Sequence, residues 1–499
     1  MRGRARTARR LTIASLLALA LLAAGVVGGW GQPGAPLPAV GYPPVQGPQN
    51  AGGGVPARPG GGVPARLPGG ATQQVGDATH PTPGATGPTL GPAEPPLGVV
   101  GYKPAVVARL DPRTLRPLAG ARIRLHYGVS SYGWSPDGSR LVLGDVDDDA
   151  LHVIDPVRVR RLATIKFGIV AEAPQRLAWL SPRRVAVVAG DPADGATLVM
   201  ADPVAGRVVS RRRLDPAGIV TVRAGDRLVL LHTPIDQIAP VRLSVVDDRG
   251  RLRTVELAGV RAGFQNPPDW DRPGAYGIGR DAGLAVDREG GRAFVVAAGP
   301  TVAEVDLDSL QVAYRQLRQP VPLLRRLAHW LVPPAEAKLV AGSGRAACWL
   351  GGGTLAVWGT DATVSGDTPE TLRSRQLPSG VKLIDTRAWT IRPLDPAANQ
   401  ASWQAGRLLA YGGTWDAEAQ RQRGVGLTLY GPGNSPPRHL LGTQAVEEAR
   451  LHGDLVYASV DTGGELWARV VVSLRSGRVV ASSEGPLPNL LLDDRGQAC

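Results

Sequence analysis

Between residues 128 and 484 one pattern recurs along the chain: an apolar strand, a tight turn, a second apolar strand, then a third that runs into an Asp-centred turn and a fourth. Trp134 to Gly144 reads WSPDGSRLVLG, and Ala150 to Ile165 completes that copy as ALHVIDPVRVRRLATI. A unit of about 40 to 50 residues with four short strands cannot bury both of its own faces, so copies must pack on one another. Radial stacking of such sheets is a β-propeller, and the expected fold class is therefore all-β.

Seven complete units are expected, over 128–166, 174–214, 219–258, 281–317, 345–394, 401–441 and 447–483. Their strands are rich in Val and Leu, as suits sheets covered on both faces. The first turns carry Gly, Pro or Asp, as in SPDG at Ser135, AGDR at Ala224, DREGGR at Asp287 and GGG at Gly351. The later turns carry Asp155-Pro156, Asp202-Pro203, Asp247-Asp248, Asp306-Leu307-Asp308 and Asp385-Thr386. Two fragments fall outside the seven. Ala105 to Leu118 matches a third and fourth strand, and Pro488 to Asp494 matches a first strand. Strands from both termini would then close the ring, either as a split eighth blade or as additions to seven, and would leave no exposed edge.

These repeats resemble extracytoplasmic bacterial propellers of the YVTN and quinoprotein amine dehydrogenase-like kind, and the SPDG turn is also seen in WD-repeat-like and TolB-like propellers. The resemblance covers residues 104 to 494 and implies the fold. Its motifs are structural turns, so no functional residue carries over.

Ahead of the repeats, Arg2, Arg4, Arg6, Arg9 and Arg10 precede an uncharged stretch from Leu11 to Trp30. Its length suits a helix crossing a hydrocarbon core of roughly 30 Å. The basic flank places the rest of the chain outside the cytoplasm. Residues 1–30 are thus expected to be a signal peptide or a retained signal anchor, the latter favoured, giving a membrane-attached or secreted protein. Residues 31–103, dominated by Gly, Pro and Ala with GGGVPAR twice, are expected to be a disordered spacer with a reach of about 45 Å. The propeller is expected over 104–494, with 495–499 as a tail. The two cysteines, Cys348 and Cys499, are permitted to pair in such a compartment, but the sequence leaves the pairing open.

The charge points away from nucleic acid. Lys+Arg total 56 against 43 Asp+Glu, yet only four are Lys and the Arg residues are scattered, without a basic run interleaved with aromatics. No Gly-x-Ser-x-Gly, HExxH, Walker loop or CxxCH is present, and the seven His show no ligand spacing. No catalytic, cofactor or metal residues are assigned. Asp145, Asp147, Asp148 and Asp149 crowd one turn but lack the Gly and the distal Glu of calcium loops.

Loop lengths carry more information. In a propeller the first-to-second and third-to-fourth turns share one rim, while the second-to-third and interblade loops share the other. Every long insertion is of the second kind: 145–149, 233–240, 259–280, 318–344, 361–380 and 414–423. Binding residues concentrate in variable loops held by a rigid scaffold, so this rim is the expected binding face. The insertion 261–281 brings Phe264, Trp270 and Tyr276 beside Asp269, Asp271 and Arg272, and Trp415 lies in a later one. Rings beside charges suit a protein, peptide or carbohydrate partner. The segment from Val321 shows Leu323, Leu324, Leu327 and Leu331 at helical spacing. The expectation is an extracytoplasmic binding or scaffolding module without cofactors. The alternative is a propeller enzyme of hydrolase, lyase or quinoprotein type, with its site at the channel mouth on the same face.

Overall fold

A computed structural model of the protein describes residues 92–492, apart from 146–148, 169–175, 191–194, 266–277, 319–339, 366–372, 417–420, 433–434 and 463–466. All described elements are strands, and they form a β-propeller. Six blades are separate four-stranded antiparallel sheets. Five of them are continuous in sequence, over 129–166, 176–213, 283–316, 400–439 and 445–484. The sixth, the closing blade, joins Leu97–Val100, Ala105–Leu110 and Pro117–Leu125 to Asn489–Leu490.

The expectation of seven separate units, with or without an eighth, is corrected. The remaining strands form one ten-stranded sheet. Its 218–265 part is joined to its 340–395 part by the short strand Ile278–Arg280, which pairs antiparallel with Gly263–Gln265 and parallel with Gly342–Ser343. The physical cause is an insertion that does not stay a loop. The strand Leu252–Gln265 runs past the end of its blade, and its exposed edge captures the chain on its return.

Ring closure by both termini is observed. Val99 pairs with Asn489, and Gly98 with Leu490. The strand Leu97–Val100 supplies the member that a split blade lacked in the sequence reading, so described β structure begins ahead of residue 104.

The core lies between successive sheets. One cluster combines Leu97, Val107 and Ile123 of the closing blade with Leu141 and Ile154 of the next. Another joins Leu110 and Leu115 to Tyr457 and Val471 of the 445–484 blade, on the far side of the closure. Trp179, 1% exposed, donates Nε1–H to the Gly133 carbonyl oxygen of the preceding blade at 2.7 Å. A Cβ at Gly133 would fall 2.7 Å from Leu177 Cδ2 and 3.2 Å from Trp179 Cδ1, so a larger residue there would force both side chains to shift. Each buried side chain of this size contributes roughly 1.5–3 kcal/mol by leaving water.

The Asp-centred turns share one construction. Oδ1 of Asp111, Asp155, Asp306 and Asp385 accepts the backbone N–H groups two and three residues on, at 2.7–3.2 Å. The fifth residue then takes positive φ: Leu115 at 55°, Val159 at 49°, Leu310 at 59° and Trp389 at 55°. The carboxylate fixes the turn firmly enough to hold side chains in a region that disfavours them.

Candidate functional site at the channel mouth

The innermost strands run from the long-insertion rim toward the short-turn rim, so their first residues ring the mouth of the central channel. Several of these strands open on small or apolar residues, Val129, Gly218, Gly283 and Ala445 among them, but charged or polar side chains stand at or near their entry. Around the ring stand Arg176, Asp281, Arg345, Glu447 and Asn489. Asn489 closes the seam by donating Nδ2–H to the Val129 carbonyl oxygen at 3.2 Å.

Asp281 follows the short strand Ile278–Arg280, and its N–H is bound by the Ser343 carbonyl oxygen at 2.8 Å. Its carboxylate faces Gly344, where an added Cβ would sit 3.8 Å from Oδ2. Burial pushes this carboxyl up to about 6. Next to it, Arg345 donates to Asp361 Oδ1 at 2.7 Å and to the Gly344 carbonyl oxygen at 2.8 Å. Lys382, behind them, is pushed down by burial and by Arg345, and up by Asp361.

Glu447 reaches the mouth through a β-bulge. In the strand Ala445–His452 the register shifts between Val446 and Glu448, so Glu447 is left unpaired and turned out of the ladder. A matching shift between Val129 and Ser131 occurs in the inner strand Val129–Trp134. Burial, together with the negative charges of Glu448 and Asp461, pushes Glu447 up to about 7. Glu448 pairs instead with Arg450, at 2.8 Å. Arg450 lies beside Tyr132 and Tyr411, and Tyr411 is pushed up to about 12 by burial. On the opposite arc burial pushes Arg176 down to about 10.

This mouth can hold a ligand that presents both charge signs, and it keeps two carboxyls able to gain or lose a proton near neutral pH. Asp281 and Glu447 stand on inner strands separated by the 340–395 strands and the 400–439 blade.

Of the residues expected to bind, Phe264 is half-buried on Leu252–Gln265, paired with Gly279 and with its ring against that glycine. Asp269, Trp270, Asp271, Arg272 and Tyr276 lie outside the described residues, as does the leucine-rich segment from Val321. Trp415 sits in a strand, Arg407–Asp416, paired with Gln422, where a loop was expected. The insertion at 361–380 is likewise largely an antiparallel arm, Thr360–Ser365 against Arg373–Pro378. Both arms are extensions of blade strands.

The sequence reading missed Asp281, Arg345, Glu447 and Glu448 as a group. Their signal was charge close to the entry of inner strands, as in AVEEARLH. The histidines prove structural where they are described. His232 Nε2 bonds Ser244 Oγ at 2.9 Å, which bonds Thr254 Oγ1 at 2.8 Å, and burial pushes His232 down to about 4. His439 Nδ1 meets Thr428 Oγ1 in the same cross-strand manner at 3.0 Å. Among the described residues no group of three His, Cys, Asp or Glu is placed to hold a metal ion.

No protein-family model and no curated protein matches the chain. Among solved structures it is similar to Dihydro-heme d1 dehydrogenase NirN in complex with DHE, at 14% identity over 80% of this chain and 75% of that one, TM-score 0.48. It is also similar to the Kuenenia stuttgartiensis hydrazine synthase, at 12% identity over 72% and 95%, TM-score 0.37. A third is BamB from Moraxella catarrhalis, at 11% identity over 72% and 90%, TM-score 0.38. At these values no ligand, activity or partner of those proteins is carried to this chain. The stacked four-stranded sheets and the closure by both termini identify the chain as a β-propeller protein.

Proposed function

We propose that the protein is an extracytoplasmic binding module that engages a protein, peptide or carbohydrate partner through its long-insertion rim. The observation that carries this reading is the convergence on one rim of the extended arms and a mouth lined by half-buried charge. Charge held at a mouth rather than spent on folding is available to orient a ligand, and the arms supply the contact area. The test is capture of partners from envelope extracts by the full chain and by variants carrying Trp270→Ala with Trp415→Ala, or Arg345→Ala. Loss of the same captured partner in both supports the reading, and unchanged capture overturns it.

Glu447 supports a second reading. A carboxyl raised to about 7 suits general acid–base work near neutral pH. If the propeller is an enzyme, Glu447→Gln abolishes turnover of whichever hydrolase or lyase substrate a panel reveals, while Phe264→Ala leaves it measurable. Activity indifferent to Glu447→Gln excludes this residue as the acid.

A further inference from the structure

The rim opposite the proposed binding face has its own composition. The short turns of the closing blade and the two that follow it, 111–116, 134–140, 155–160, 181–184 and 202–207, hold eight Arg (113, 116, 140, 158, 160, 183, 184 and 207) against four Asp (111, 137, 155 and 202). The short turns of the remaining sheets balance the two signs more nearly, with Asp247, Asp248, Asp306 and Asp308 among their acids. Among the described residues, half of the exposed large hydrophobic side chains fall on two adjacent blades of this sector: Val157, 76% exposed, with Leu162, and Val204, 49% exposed, with Val209. Val157 and Val204 occupy equivalent tips of the third-to-fourth turns.

Arginines surround these tips. Arg158 flanks Val157, and a cavity of 540 Å³ at the neighbouring turns is lined by Arg183, Arg207 and Arg249 among others. Part of this charge is paired, Arg158 with Asp155 at 3.1 Å and Arg184 with Asp202 at 3.4 Å, and Asp202 and Asp248 also line the cavity, so what the sector presents is its excess of Arg over Asp. Asp155 and Asp202 each accept two backbone N–H groups of their own turn, and Asp202 also pairs with Arg183 at 3.2 Å.

The chain enters the propeller on this same rim. Ala93 N–H donates to Asp454 Oδ1 at 3.1 Å, and His452 Nε2 bonds the Glu94 carbonyl oxygen at 3.0 Å, both at the short turn Gly453–Asp454. Ala93 and Glu94 thus lie on the short-turn side, and the sequence ahead of them contains the apolar stretch Leu11–Trp30 behind five arginines.

We propose that the short-turn rim around Val157, Arg158, Val204 and Arg207 lies against an anionic phospholipid surface, so that the long-insertion rim points away from the membrane. Arginines engage lipid phosphates while aliphatic tips enter the headgroup boundary, the division of labour of peripheral membrane surfaces. Neither outer strand of the two central blades of this sector carries an aromatic side chain, whereas protein docking sites are enriched in aromatic anchors. A chain tethered to the same membrane would present this face at high effective concentration. The inference rests on the membrane-attached reading of the chain and not on the partner at the far rim, so capture and lipid contact can fail independently.

The test uses the full chain reconstituted in vesicles, with bimane on Ala205→Cys as reporter and headgroup-spin-labelled lipid as quencher. Quenching is expected in phosphatidylcholine–phosphatidylglycerol 7:3, weakly in phosphatidylcholine alone, and weakly from a Tyr102→Cys reporter at the opposite rim. Arg158→Glu with Arg207→Glu should lower the apposed-to-free ratio about thirtyfold, and Val157→Asp should also lower it. Lys103→Glu with Arg280→Glu, on the long-insertion side, should not. Quenching that ignores lipid charge, or that is equal at both rims, overturns the proposal. So does a double Arg variant that keeps its quenching but loses capture by polyglutamate beads, which would mark the face as one for an acidic polypeptide.

Discussion

The two rims use the same functional group in opposite ways. At the short turns, carboxylates are bound by the N–H groups of their own loops and fall below the usual range: Asp111 through the Thr114 N–H, Asp155 through Arg158, and Asp306 through Ser309. Asp137 in the SPDG turn is brought down to about 2 by the hydroxyls of Ser135 and Ser139. At the channel mouth, Asp281 and Glu447 lie in surroundings that remove water without replacing its hydrogen bonds, and both are pushed up. The first set stabilises the fold when ionised. The second set opposes it when ionised, which is the signature expected of groups kept for a ligand rather than for folding.

The largest expected effect probes what both rims share. Trp179→Ala should cost about 3–5 kcal/mol in chemical denaturation, because it empties a site between two blades and orphans the Gly133 carbonyl. A cost below about 1 kcal/mol would mean that blade packing does not carry the fold.

The pH dependence sharpens the contrast between rims. For Glu447, the folded form binds its proton more tightly than the unfolded one, so its contribution is greatest below about pH 4.5 and is lost as pH rises toward 7. The turn aspartates act in the opposite sense: their contribution is present above about pH 4 and is lost as pH falls through their lowered values. Burial of His232, which lowers it to about 4, removes stability as pH falls below about 6.5 and opposes the Glu447 contribution, so the two rims are separated by comparing single variants with the parent chain at each pH. Glu447→Gln should stabilise the protein by about 1–2 kcal/mol at pH 8, after discounting for partial exposure, and by nothing at pH 4. A stabilisation independent of pH would break the assignment.

Smaller effects belong to the short turns. Asp306→Ala should cost about 1 kcal/mol, since the N–H groups of Asp308 and Ser309 lose their acceptor. At the long-insertion rim, Phe264→Ala should shift stability by less than about 1 kcal/mol while reducing partner capture. If Phe264→Ala is more destabilising than Asp306→Ala, that ring is part of the scaffold and not of the binding face.

Cys348 is 0% exposed and disulfide-bonded, and the chain has only one other cysteine, Cys499. The sequence left this pairing open because bridging depends on the separation of Cα atoms in the fold and not on spacing along the chain. Alkylation under non-reducing denaturing conditions should find no free thiol.

Most of the propeller was legible in the sequence because its information is local. A tight turn needs Asp, Gly or Pro at fixed offsets, and a doubly covered strand needs a run of apolar residues, so WSPDGSRLVLG and VIDPVRV announce their structure within a dozen positions. The first, third and fourth strands of the closing blade were recoverable for the same reason. The second, Leu97–Val100, was not, because four residues beside a Gly- and Pro-rich stretch carry too little pattern.

The ten-stranded sheet, the bulge that turns Glu447 into the mouth, and the neighbourhood of Asp281, Arg345 and Glu447 were decided only by the tertiary structure. Each depends on which residues meet after chain segments tens to hundreds of positions apart have packed. The environment that raises or lowers a carboxyl is set by those neighbours and not by the residue itself. By itself the sequence determined that four-stranded units must stack and that one rim would carry the insertions. The ring brought the inner strands together, and only then did the charges near their entry become a single mouth.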